Sequence, residues 1–168
     1  QSGKTATYTA LINKAADAGY RIIILLTGTI EKLRMQTQAR LDEGFIGLDS
    51  TAFNRDSNNE LVGVGNYNSN ISGWAVTSTT SDFKKSTGEK LTGRLSGISV
   101  PVLFVLKKNK SVLEKLEQWL KLYNATQGQK CPLPMLLIDD EADNASVNTK
   151  TDEDPTVINT NIRKLLNL

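Results

Sequence analysis

The chain has 168 residues, which is enough for one ordinary domain with its own hydrophobic core. Its 20 basic and 18 acidic side chains give a net charge of +2, so bulk charge offers no argument for nucleic-acid binding. The sequence contains no histidine, which excludes His-dependent catalytic triads and most zinc sites within this segment. A single cysteine, Cys131, excludes an internal disulfide and favours a cytoplasmic location. The sequence also lacks an apolar run of the roughly 20 residues that a membrane span requires.

The chain begins with the pattern of a helix followed by a buried strand. Apolar side chains recur at helical spacing over residues 4–18, and Gly19 follows as a natural C-terminal cap. Residues 20–27 are β-branched and apolar, which predicts a strand that is buried on both faces. A helix that leads into such a strand is half of a βαβ unit, so the sequence favours an α/β fold with a mainly parallel sheet.

A second helix is predicted over residues 30–43, with Gly28 or Thr29 as its N-cap. Its surface is largely polar, and the favoured interpretation is a solvent-exposed helix face. The alternative is a nucleic-acid contact, because the helix follows the carboxyl end of a strand and carries side chains that bind phosphates. The candidates for that contact are Arg34, Gln36, Thr37 and Arg40.

Residues 49–97 differ in composition from the rest of the chain. Asn, Ser, Thr and Gly dominate, with short β-prone pieces at 61–64 and 74–79. This composition predicts an irregular insertion of loops and short strands rather than a second core. Tyr67 and Trp74 would either stack on a nucleobase or, as the favoured interpretation, cover an edge of the core.

The third predicted strand covers residues 99–106, and Lys107 and Lys108 follow it directly. The carboxyl ends of parallel strands are the edge of a sheet at which ligands bind, so both lysines are placed near a possible site. A helix with one apolar side is predicted over residues 112–123, with Ser111 as its N-cap.

Residues 135–138 form a fourth apolar run, which leads directly into a cluster of acids. Carboxylates at the tip of a buried strand are costly unless a cation meets them. In a nucleotide-binding protein that cation is Mg²⁺, which takes one or two carboxylates together with phosphate oxygens and water. Residues 136–143 are therefore a candidate Walker B element, with Asp140 directed to magnesium and Glu141 to an attacking water. The alternative is that these acids cap the next helix or lie in solvent.

Residues 1–5 match the second half of the phosphate-binding motif G-x-x-x-x-G-K-[ST] and form a candidate Walker A element. Lys4 would reach the β- and γ-phosphates of ATP, and the Thr5 hydroxyl would bind magnesium. The alternative is a helix start that contains a glycine, since the first glycine of the motif would lie before residue 1. The residues whose backbone N–H groups would surround the phosphates are Gln1, Ser2 and Gly3.

The acidic cluster carries a resemblance to a known family. Residues 140–143 read Asp-Glu-Ala-Asp, which resembles motif II of the superfamily-two helicases and translocases. Over nearly the whole chain, the sequence is similar to the Z-one domain family of endonuclease-associated ATPases, which bacteria encode near DNA methyltransferase and restriction genes. The blocks that carry this resemblance are 1–5, 15–20, 34–45 and 139–149, and the last two are its specific part.

The resemblance implies a three-layer, RecA-like P-loop NTPase with residues 1–168 as one partial lobe and the first strand missing. It implies ATP hydrolysis with Mg²⁺, a DNA substrate and partner proteins of a restriction–modification system. Lys4 would take the role of the phosphate lysine, and Glu141 would orient the attacking water. The chain ends before a second lobe that would supply an arginine, so we expect this fragment alone to bind nucleotide weakly and to hydrolyse it negligibly.

Two other functions remain open at this point. A nuclease subunit is the first, but Lys150 and the acids at 152–154 fall in a predicted loop rather than at a strand end. The second is a nucleotide-binding switch or scaffold without turnover. Glu141 argues against the scaffold, because an acid next to the metal-binding aspartate is needed only for hydrolysis.

Overall fold

The computed structural model describes residues 2–51, 60–68, 73–84, 86–87, 99–124, 130–142 and 156–168. In that part of the chain, four α-helices and four strands form an α/β fold. In chain order they are α1 (Ser2–Asp17), β1 (Ile22–Thr27), α2 (Glu31–Leu41), β2 (Trp74–Ala75), β3 (Val102–Lys107), α3 (Lys110–Asn124), β4 (Met135–Asp139) and α4 (Val157–Leu166).

The four strands form one sheet in the order β2-β3-β1-β4, and all three pairings are parallel. The prediction of a mainly parallel sheet is therefore confirmed for the described strands. Ile24 of β1 is aligned with Phe104 of β3 and with Leu137 of β4. β1 is buried along its whole length because it has a strand on each side, whereas every residue of β4 is only half-buried.

Helices cover both faces of the sheet, because alternate residues of the strands point to opposite sides. On one face, Ile24 and Phe104 pack with the apolar side of α3, including Leu116, and with Leu165 of α4. On the other face, Leu25 and its neighbours pack with a second apolar group. The buried helical members of that second group are Tyr8 and Ile12 of α1, Leu41 of α2, and Phe45 and Ile46 of the π-helical turn Asp42–Ile46.

The ends of the helices confirm one predicted cap and correct two others. Gly19 has a φ of 97° and donates its N–H to Ala16, while Tyr20 donates to Ala15, which is the pattern of a Schellman cap. The predicted caps of α2 are wrong, because the N-cap is Ile30 and no side chain caps this helix end. The predicted cap Ser111 is also wrong, since Asn109 Oδ1 accepts the Ser111 N–H at 2.9 Å.

The described part of the predicted insertion is irregular, but it contributes to the main core. It contains the 3₁₀ turn Gly63–Asn66 and the short strand β2, which extends the sheet beside β3. Phe83 is buried, and its ring packs edge-on against Phe104 and Trp119 at centroid distances of 5.8 and 5.9 Å. Of the two predicted β-prone pieces, 74–79 supplies the two-residue strand β2, whereas 61–64 leads into the 3₁₀ turn and forms no strand.

The two aromatic residues of this segment behave differently. Trp74 is half-buried against the core, as the favoured interpretation predicted. Tyr67 is 93% exposed, so the prediction that it covers an edge of the core is wrong. Stacking of either ring on a base stays a prediction.

The polar helix α2 corrects the favoured interpretation of a solvent-exposed face. Arg34 and Gln38 have no exposed surface, and Asp42, directly after the helix, is 3% exposed. We call these three residues and their hydrogen-bond partners the α2 network. A polar helix composition predicts a solvated face, but Arg34 and Gln38 find buried partners in Ser78 and Thr77, which lie 44 and 39 residues further along the chain. Within the described residues, no helix combines the length and apolar character of a membrane span.

Candidate functional site

The residues of the two predicted nucleotide-binding elements meet at the carboxyl edge of the sheet. α1 precedes β1 and packs against the sheet, so its first turn lies beside the ends of β1 and β4. Lys4 and Thr5 from this turn line one cleft together with Asp140 and Glu141, which follow β4. The other polar side chains of the cleft used below are Tyr8 of α1 and Thr37 and Arg40 of α2.

The structure describes two of the three other residues predicted for the phosphate loop. Ser2 and Gly3 belong to the first turn of α1, where the N–H groups have no intrahelical acceptor. A Cβ added to Gly3 would meet no described atom of another element within 4 Å. Gln1 and Asp143 lie outside the described residues, as do Lys150 and the acids at 152–154 of the nuclease alternative.

The Thr5 hydroxyl is the best-connected group at the start of α1. It accepts a hydrogen bond from the Tyr8 hydroxyl at 3.1 Å and another from Arg40 Nη1 at 2.9 Å. Tyr8 is buried and Arg40 is exposed, so the first donor is held by packing and the second is free to move. Tyr8 was not predicted as a site residue, and Arg40 was a candidate only in the alternative nucleic-acid contact of α2.

The residues of α2 that were candidates for a nucleic-acid contact also differ in burial. It is wrong for Arg34, which is fully buried and donates to Glu31 Oε1 and to the Ser78 carbonyl. Thr37 is buried and lines the cleft rather than the outer surface of the helix. Gln36 is exposed, and its contact with nucleic acid stays a prediction.

Asp140 and Glu141 follow β4 in two different backbone conformations. The Asp140 N–H still donates to the Leu26 carbonyl at 2.9 Å, so Asp140 extends the ladder with β1. Glu141 has a φ of 63°, which is the left-handed region and costs about 1–2 kcal/mol for a residue with a Cβ. Its carboxylate lies against Gly28, where an added Cβ would overlap Oε2 of Glu141. Glycine at position 28 therefore allows the carboxylate to occupy its place in the cleft.

The two lysines after β3 have different surroundings. Lys107 is partly exposed and pairs with Glu31 at 2.7 Å. The side chain of Lys108 has no exposed surface, and it pairs with Asp139 Oδ1 at 2.6 Å and donates to the Glu141 carbonyl. The sequence signal for Lys108 was its position after a strand, but composition does not distinguish it from Lys107.

Three described carboxyl groups with shifted pKa values lie outside the cleft. Burial raises the pKa of Asp42 to about 6, although hydrogen bonds from Ser50 and Gln38 act in the opposite direction. Burial also raises the pKa of Asp82. Burial alone would raise the pKa of Glu31, but the hydrogen bonds and charges of Lys107 and Arg34 together outweigh it and lower this pKa.

Hydrogen bonds of the α2 network connect Asp42 to the sheet through Gln38 and Thr77. Asp42 accepts from Gln38 at 2.9 Å and from the Ser50 hydroxyl at 2.6 Å. Thr77 donates to Gln38 at 2.7 Å and accepts the N–H of Val105 in β3. These groups hold α2 and the segment after β2 on the sheet, and their chemistry is structural.

The cleft has the donor set that magnesium uses in nucleotide sites. Among the described residues, no cluster of three or more Cys, Asp or Glu side chains is arranged to hold a metal ion by itself. The oxygen groups that line the cleft include the Thr5 hydroxyl and the Asp140 carboxylate, together with the lysine Lys4. Such a pair suits a metal that completes its shell with phosphate oxygens and water.

Comparison with protein-family models, with curated protein sequences and with solved structures found no match. The resemblance to the Z-one family therefore stays a prediction.

Proposed function

We propose that the chain is the ATP-binding and ATP-hydrolysing lobe of a bacterial DNA-acting restriction or defence protein, with a RecA-like, helicase- or translocase-like arrangement. The observation that carries the proposal is the meeting of Lys4 and Thr5 with Asp140 and Glu141 in one cleft. These pairs come from opposite ends of the chain. The parallel topology brings the start of α1 to the same edge of the sheet as the end of β4, and all four residues line the cleft there.

The start of α1 provides the phosphate-binding part of the proposed site. The first N–H groups of the helix have no intrahelical acceptor, and the helix dipole favours negative charge at this end. Lys4 is exposed in the cleft and adds a full positive charge.

Thr5 and Asp140 would hold the magnesium ion, which when bound neutralises charge on the phosphates. The Thr5 hydroxyl accepts from both Tyr8 and Arg40, so one donor has to leave before its oxygen serves as a metal ligand. Arg40 is the exposed donor, and an exposed polar contact of this kind contributes little stability. We therefore assign the displacement to Arg40, whose guanidinium then faces the phosphates from α2.

Glu141 would orient the attacking water and accept its proton. The Glu141 carboxylate lines the cleft and lies against Gly28. The backbone of Glu141 has the unfavourable left-handed conformation. Residues that are forced into such conformations are concentrated at functional sites. This feature favours hydrolysis over a switch or scaffold that only binds nucleotide.

The RecA-like part of the proposal is supported by the all-parallel sheet with helices on both faces. The DNA part rests on the resemblance of the blocks at 34–45 and 139–149. The burial of Arg34 argues against its contact with DNA. Thr37 and Arg40 line the cleft, so Gln36 is the candidate of the four that is exposed outside the cleft.

The first test is ATPase activity of the full-length protein with and without double-stranded DNA, comparing Lys4→Ala with Lys14→Ala. Lys14 is an exposed lysine of the same helix outside the cleft, so it is a matched control for charge and helix position. We expect DNA-stimulated turnover that Lys4→Ala abolishes and Lys14→Ala retains. Equal turnover in the two variants would remove the cleft from the reaction.

The second test uses Glu141→Gln to separate hydrolysis from binding. We expect ATP binding to persist and turnover to fall by about 100-fold or more, because the amide does not accept the proton of water. If wild-type protein binds ATP tightly without turnover under any DNA, the switch or scaffold function replaces the motor function.

A further inference from the structure

Lys108 is a fully buried cation that the proposed reaction does not use directly. It follows β3, has no exposed side-chain surface and is not among the residues that line the cleft. A buried charge is costly unless it is paired and hydrogen-bonded. The contacts of Lys108 therefore show what its presence in the core achieves.

These contacts connect the ends of three strands. The ammonium group pairs with Asp139 at the end of β4, although β1 lies between β3 and β4 in the sheet. The backbone N–H of Lys108 donates to the carbonyl of Gly28, directly after β1, at 3.3 Å. Lys108 thus reaches from β3 past the end of β1 to β4.

The second partner of the ammonium group is the backbone carbonyl of Glu141. Glu141 is the described non-glycine residue with a positive φ, and its carboxylate lies against Gly28. Because the Lys108 ammonium group donates to the Glu141 carbonyl, it fixes the peptide plane that follows Glu141, the left-handed residue. The side-chain direction depends on this backbone conformation, because φ and ψ of Glu141 set the direction of its Cα–Cβ bond.

We propose that Lys108 is a positioning residue for Glu141, holding the backbone that aims the carboxylate into the cleft. The inference rests on the proposed function, in which Glu141 orients the attacking water. The ion pair with Asp139 then supplies the negative charge that allows a lysine to be buried at this place. Lys107, with its exposed pair to Glu31, has no such role.

The test compares Lys108→Met, Asp139→Asn and the double variant in the full-length protein, with Glu141→Gln as reference. Turnover, the Kd of a fluorescent ATP analogue and the thermal midpoint are measured for each. Lys108→Met should lower kcat by about 10- to 100-fold, because misplacement of a reacting group by about 1 Å has effects of this size. Its Kd should stay within about twofold of wild type, since Lys4 and Thr5 are untouched.

The double variant separates positioning from charge balance. It removes the cation and its counter-charge together, so it avoids the unpaired buried carboxylate that Lys108→Met leaves behind. We expect its thermal midpoint to recover relative to Lys108→Met while kcat stays low. Asp139→Asn should retain kcat, because Lys108 still donates to the Glu141 carbonyl.

Recovery of kcat in the double variant, or an unchanged kcat in Lys108→Met, would overturn the inference. If Lys108→Met does not fold, the double variant and Asp139→Asn decide between the two roles. A wild-type protein that hydrolyses ATP and loses turnover in Glu141→Gln keeps the proposed function, even when the role of Lys108 fails. Absence of turnover in wild type would overturn both.

Discussion

Two groups of polar side chains lie on either side of α2, and they differ in how completely they are satisfied. In the α2 network, Arg34, Gln38 and Asp42 are buried. Arg34 donates to the Ser78 carbonyl, and Gln38 donates to Asp42. In the cleft, Lys4 and Arg40 are exposed and face an open space. The first arrangement uses its polar groups to hold the fold together, and the second leaves them available for a ligand. Polar composition alone does not separate these two uses, but burial does.

The largest effect on stability should come from Arg34→Met, which removes the donors to Glu31 and to the Ser78 carbonyl. Loss of a buried charged group with its hydrogen bonds should lower the free energy of unfolding by about 3 kcal/mol. Urea unfolding measures this loss. Lys32→Met on the exposed side of the same helix is the control and should stay within about 0.5 kcal/mol of wild type. Equal losses in both variants would mean that the α2 network does not hold the helix.

Asp42 should make stability depend on pH between about 4 and 7. Its pKa is raised from 3.8 to about 6, so folding favours the protonated carboxyl. Its contribution is fully present below pH 4 and is lost as pH rises through 6, by up to about 3 kcal/mol. Asp82, whose pKa is also raised, adds a dependence of the same sign.

Unfolding measured at several pH values in wild type and Asp42→Asn checks this dependence. The variant should lose most of the decline between about pH 4 and 6, because an amide does not titrate. Parallel curves for the two proteins would place the titrating group elsewhere.

A smaller effect should appear at Glu141, on the cleft side of the comparison. Glu141→Gly should be more stable than Glu141→Ala by about 1 kcal/mol, because glycine adopts the left-handed conformation without the Cβ penalty. Both substitutions remove the carboxylate, so their difference isolates the backbone strain. Thermal or urea unfolding provides the measurement, and an alanine variant as stable as the glycine variant would argue against strain at this position.

The smallest effect on stability should come from Arg40→Ala, which should stay within about 0.5 kcal/mol of wild type because the side chain is exposed. On the proposed function, the same change should raise the Kd for ATP about fivefold, since it removes a cation beside Thr5. Titration with a fluorescent ATP analogue measures the Kd. Arg163→Ala, on α4 and outside the cleft, is the control and should bind as wild type does.

The central strands and the cap of α1 were predictable because their signals are local. β1 and β3 are continuous apolar runs, and Gly19 occupies a position that requires a positive φ. The motifs predict Lys4, Thr5, Asp140 and Glu141 as site residues, and a parallel topology implies that these residues share an edge of the sheet. Their meeting in one cleft agrees with that expectation.

The rest depended on contacts between distant segments. The interpretation of α2 failed because Gln38 and Arg34 are satisfied by Thr77 and Ser78, and no local pattern signals that pairing. Lys108 was visible only as one of two lysines after a strand. The role proposed for Lys108 depends on the contact of its ammonium group with the Glu141 carbonyl and on the backbone conformation of Glu141.

The edge-on packing of Phe83 against Trp119 also has a spectroscopic consequence. Trp119 belongs to α3 and is buried, whereas Phe83 comes from the irregular segment between α2 and β3. Indole emission is sensitive to the polarity around the ring, so detachment of that segment would admit water to Trp119 and shift its fluorescence to longer wavelength. Replacing Trp74 with Phe would leave Trp119 as the sole tryptophan, since the sequence contains two. The emission wavelength of Trp119 would then report whether the irregular segment is packed against α3.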